Sequence, residues 1–92
     1  MTETIDITLV QAGDPLLFDV SVVGERETRH KVALRRRDFE RLAPGRDETA
    51  FLRGVFRFLL EREPQEAILA QFDVAVVSIY FPEFESEIVD YL

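Results

Sequence analysis

At Arg36 the hydrophobic period of this chain changes, and that change limits its fold more than any single motif does. Upstream the period is two. Ile5, Ile7 and Leu9 share one parity and Thr4, Asp6 and Thr8 the other, as in a strand with one buried face. Gly13-Asp14-Pro15 breaks the run with turn residues. Leu16, Phe18, Val20 and Val22 then form a second inward set, with Asp19 and Ser21 facing out. Gly24-Glu25 has the length and type of a tight hairpin, with glycine supplying a positive φ. A third strand over about 27–35 points Thr28, His30, Val32 and Leu34 inward and Arg29, Lys31 and Arg35 outward. Three strands on short turns make an antiparallel meander over residues 4–35, and its dry face needs a cover.

The second half supplies the cover. Phe39, Leu42 and Ala43 stand at helical spacing and predict a helix over 37–43, capped by Asp38 or a neighbour and stopped by Pro44-Gly45. Asp47-Glu48 open a longer helix, 48–62, whose apolar stripe is Phe51, Leu52, Val55, Phe56, Leu59 and Leu60. Arg53, Gly54, Arg57 and Phe58 fall on or near its other side. Pro64 ends that helix and suits the first turn of a short one over 65–71, burying Ile68, Leu69 and Phe72. Residues 72–81 read two ways. Their Val and Ile density favours a strand; Asp73 as a cap, Pro82 as a stop and the spacing of Val74, Val77 and Phe81 favour a helix. The fold class is α+β: a three-stranded antiparallel meander packed against C-terminal helices, with 72–81 either a further helix or a fourth strand.

Length and composition agree with one domain over 1–92. A chain of 92 residues buries about 60–65% of its unfolded surface. Lacking cysteine, it has no disulfide to staple it, so the core must be apolar and well packed, or completed by a partner. Fractions of 47% hydrophobic and 32% charged residues suit a globular protein. No apolar run approaches the ~20 residues of a membrane span, and Met1–Asp6 lacks the pattern of a signal peptide. The expectation is a cytoplasmic protein with no membrane contact.

Three segments carry a resemblance: FDVSVVGERETRHKVAL, FLRGVFRFLLEREP and ILAQFDVAVVSIYFPEFE. Together they resemble a family of uncharacterised small bacterial proteins of about this size. The likeness runs from about Leu16 to Glu85, and its most distinctive blocks are FLLEREP (58–64) and YFPEFE (80–85). It implies a bacterial source and a compact α+β domain, and it shifts 72–81 toward helix. It brings no activity, substrate or catalytic residue.

Catalytic chemistry has little to work with. Cysteine would supply a nucleophile or soft ligand, and the single histidine, His30, reads as an inward strand residue. The carboxylate pairs Glu61/Glu63 and Glu83/Glu85 have no neighbour that would tune them for acid–base work. Gly13, Gly24, Gly45 and Gly54 are scattered and form no phosphate loop; Ser21, Ser78 and Ser86 lack triad companions. The reading is a non-enzymatic protein with no catalytic residue, no cofactor and no metal.

Charge is the remaining signal. Between Arg26 and Arg37 lie six Lys/Arg against one acid, Glu27. Arg29, Lys31, Arg35, Arg36 and Arg37 are therefore candidates for contact with an anion or nucleic acid. Against that reading, the chain is −7 overall and the stripe holds no aromatic for base stacking. Cross-strand pairing with Asp6 and Asp19 is the simpler use of these charges. Residues 1–46 are neutral in sum, whereas 47–92 hold ten acids and three bases. The tail, 83–92, interleaves Glu83, Glu85, Glu87 and Asp90 with Phe84, Ile88, Val89, Tyr91 and Leu92, and is either docked or free. Tyr80, Phe81, Phe84 and Tyr91 are the candidate protein-contact residues. The favoured function is a protein-interaction or regulatory module for a partner protein or a second copy (a homodimer), with a nucleic-acid-binding regulator as the alternative.

Overall fold

The computed structural model describes residues 3–92. One four-stranded mixed sheet, in the order β1-β2-β3-β4, carries helices on one face, so the fold is α+β as expected. Strands β1 (Thr4–Gln11), β2 (Leu16–Val23) and β3 (Glu27–Leu34) form the antiparallel meander. Strand β4 (Gln71–Asp73) joins β3 in parallel, pairing Lys31 with Gln71 and Ala33 with Asp73. The helices are α1 (Arg36–Leu42), α2 (Glu48–Leu60), α3 (Val77–Tyr80) and α4 (Phe84–Glu87), with 3-10 turns at Gln65–Ala67, Val74–Val76 and Ile88–Tyr91. Among the described residues no helix is long and apolar enough to cross a membrane.

The meander follows its alternation with two departures. Leu9 has inward parity but is exposed, because a bulge leaves Val10 unpaired between Leu9 and Gln11 and turns the end of β1 off the core. The β2–β3 hairpin forms, but Gly24 does not use a positive φ. Its need for glycine is one of space: a Cβ there would stand 3.1 Å from Glu3 Cγ and 3.3 Å from Gln65 Oε1.

Helix α1 takes its cap from elsewhere than Asp38. The Arg36 N–H donates to Asp14 Oδ1, reaching back to the β1–β2 turn. Asp47 caps α2 through the Ala50 N–H. The stripe of α2 is wider than its pattern: Gly54 and Phe58, expected on or near the other side, are buried, Phe58 fully. The C-terminal turn lies over them, so a Cβ on Gly54 would meet Leu92 Cδ2 at 2.9 Å and the Tyr91 carbonyl oxygen at 3.0 Å.

No helix forms over 65–71. After one 3-10 turn the chain extends, since β3 captures its carbonyls: His30 Nδ1 donates to Leu69 O (2.7 Å) and Lys31 N to Ala70 O (2.8 Å). A carbonyl can only accept, so Nδ1 carries a proton, and Nε2 is hydrogen-bonded to the Thr28 hydroxyl at 2.9 Å. Gln65 Nε2 in turn donates to Thr28 Oγ1, Val22 O and Arg26 O, fixing the connector to the hairpin. His30 is thus a buried, hydrogen-bonded residue whose ring lies 5.4 Å from that of Phe56. Residues 72–81 divide between both readings. Phe72 lies in β4, Asp73 caps the following turn through the Ala75 N–H, and α3 stops before Pro82.

Candidate functional site

The two blocks singled out in the sequence meet in space. Phe58 packs edge-on against Phe81, Phe84 and Tyr91, with ring centroids 5.1–6.0 Å apart. Arg62 stacks on the other side of Phe58, its guanidinium carbon 3.6 Å from the ring centre. From there Nε reaches Glu83 (3.0 Å), Nη2 reaches Glu87 (2.8 Å), and Nη1 reaches Phe58 O and the Tyr91 hydroxyl. The Tyr91 hydroxyl donates onward to Glu61 at 2.8 Å. A second arginine, Arg41 of α1, holds Glu85 with two hydrogen bonds, and Glu85 also accepts from Ser78. The tail is docked, and three of its four acids, Glu83, Glu85 and Glu87, are held by Arg62 and Arg41 rather than by the basic stripe.

Beside this clamp the same blocks frame an apolar groove of about 170 Å³. Leu59 and Glu63 come from the end of α2 and the residues after it; Ile68 and Leu69 come from the connector. Phe72 of β4, Val77 and Tyr80 of α3, and Phe81 complete the wall. Glu63 is the one charged residue of that lining, and burial raises its carboxyl above the ordinary value. Leu69 is 46% exposed, Tyr80 65% and Ile79, also on α3, 75%. Two large apolar side chains of the groove lining, Leu69 and Tyr80, thus stand in solvent, as does Ile79 of the same helix as Tyr80.

Of the four candidate contact residues, the structure brings Tyr80 and Phe81 to this groove. Phe84 is a correction: it is fully buried against Phe58 and is not accessible to a partner. Tyr91 is half-buried and occupied with Glu61 and Arg62. Sequence reasoning missed Leu69 and Ile79, and it read Glu63 as a carboxylate with nothing to tune it, whereas burial raises its carboxyl. Leu69 was assigned to the core of a helix that does not form, and Ile79 lies outside the 74/77/81 spacing. That exclusion from the spacing was the signal that Ile79 faces out.

The basic residues are dispersed and largely occupied. Arg29 pairs with Glu27 (3.0 Å) and Arg35 with Asp73 (3.2 Å). Arg36 donates to Gly13 O at 2.8 Å. Lys31 stands opposite Asp19 in the β2–β3 register, and Arg37 is exposed on the first turn of α1. The outer sheet face around them mixes these charges with Val10, Leu17 and Ala33. Among the described residues no group of three or more His, Asp or Glu is placed to hold a metal ion. No family model, curated protein or solved structure matches the chain.

Proposed function

We propose that this chain is a non-enzymatic protein-interaction module that receives an apolar side chain of a partner protein in the groove between Leu59, Phe72, Val77 and Phe81. The observation that carries this reading is the exposure of Leu69 and Tyr80 in the lining of that groove, with Ile79, next to Tyr80 in sequence, exposed as well. Single exposed apolar residues are ordinary, but several around one concavity mark a contact surface. Size supports a side chain over a free metabolite: small-molecule pockets run to about 300–1,000 Å³, and this groove has about 170 Å³. An apolar cavity of about 150 Å³ accepts a benzene ring.

The test is quantitative capture from nuclease-treated lysate, comparing wild type with the triple variant Leu69→Ser/Ile79→Ser/Tyr80→Ser and with Arg29→Glu/Lys31→Glu. Since the three apolar positions are exposed, the triple variant keeps its fold, checked by circular dichroism. The expected result is a specific protein retained by wild type and by the charge variant, and reduced about tenfold or more by the triple variant. Equal retention by the triple variant sinks the reading.

A further inference from the structure

Resting on that reading, we infer that the groove selects a partner segment in which a large apolar side chain sits within one helical turn of a lysine or arginine, the cation meeting Glu63. Glu63 is set into an otherwise apolar wall, and no Lys, Arg or His lines the groove to answer it. It makes no ion pair among the described residues, in contrast to Glu83, Glu85 and Glu87, which do. Glu63 is partly buried, so its ionised carboxylate loses some hydration in that wall, and a docking cation offsets that loss. The long-range field has the same sign. Residues 47–92 carry ten acids and three bases, and a basic segment approaching them is drawn in.

A second copy of this chain does not fit the description. Among the described residues its exposed large apolar side chains away from the groove are Leu9, Val10, Val23 and Val89. Within one helical turn of them only one base occurs, Arg26, three residues after Val23, and Val23 is fixed in the sheet between Thr4 and Glu27 and only 38% exposed. The occupant is therefore a different protein.

The experiment is selection of a random-peptide display library on the full chain, in parallel with Glu63→Lys and with the Leu69→Ser/Ile79→Ser/Tyr80→Ser variant. Wild type is expected to enrich peptides that combine a large apolar residue with a nearby Lys or Arg. Glu63→Lys is expected to exchange that cation for Asp or Glu. A synthetic peptide from the wild-type pool should bind Glu63→Gln about tenfold more weakly, the scale of one close charge pair. If wild type and Glu63→Lys enrich the same apolar peptides without charge preference, this inference is overturned while the groove reading stands. If wild type enriches nothing beyond the triple variant, both fall.

Discussion

Arg62 makes more contacts of different kinds than any other side chain in the clamp. It is half-buried, stacked on Phe58, and forked between Glu83 and Glu87 while also reaching a backbone carbonyl. The glutamates are each more than a third exposed, so each pair is worth only a few tenths of a kcal/mol after solvent screening. The stacking adds about 0.5–1 kcal/mol. Arg62→Ala should accordingly destabilise the protein by roughly 1–2 kcal/mol, read from the urea midpoint. Arg62→Lys keeps the charge but loses the planar fork and the stack, and should recover less than half of that loss. Full recovery by lysine would mean that charge alone accounts for the residue.

At the level of elements, the tail and the sheet differ in what holds them. Strands β1–β3 are joined by backbone ladders, whereas α4 and the turn after it depend on Phe84 and Ile88 underneath and carboxylates at the edge. The Glu83 carboxyl is held below its ordinary value by its own backbone N–H and then by Arg62; that of Glu85 is held below by Arg41. Stabilisation from depressed carboxylates is complete above the ordinary value of 4.5 and is lost as pH falls through the folded-state values. Glu63 runs the other way: burial raises its carboxyl, so its contribution is present in acid and lost as pH rises through its folded-state value. The tail should therefore loosen before the sheet on acidification, with amide exchange at 88–91 accelerating ahead of β2. Glu83→Gln/Glu85→Gln should remove that pH dependence, and simultaneous loosening of tail and sheet would contradict the argument. The same contrast explains what the sequence could tell. The alternation of Leu16, Phe18, Val20 and Val22 is a local signal, and it predicted β2 and its facing correctly. The fate of 65–71 was not local: His30 and Lys31 take the carbonyls of Leu69 and Ala70, and no pattern within 65–71 records that. Sequence put Tyr80, Phe81 and Phe84 in one class and could not tell the buried Phe84 from Tyr80 and Phe81, which line the groove. Its burial follows from a docking geometry set by Phe58 and Arg62 in another helix.

For the whole molecule, the decisive connection is the one between β3 and β4. Everything from Arg35 to Ala70, including α1 and α2, lies between two strands that pair in parallel. The hairpins need only short loops to close; β4, three residues long, must wait for a long one. Folding should begin with the meander and α2, and end with β4. Val20→Ala should then slow folding in stopped-flow measurements, whereas Phe72→Leu should chiefly speed unfolding, with a φ-value near zero. A high φ-value at Phe72 would refute this order. Phe72 is also part of the groove wall. With β4 docking last, the proposed recognition groove would be the last part of the molecule to be assembled and the first to be lost, and capture of a partner there would be reserved for chains that have finished folding.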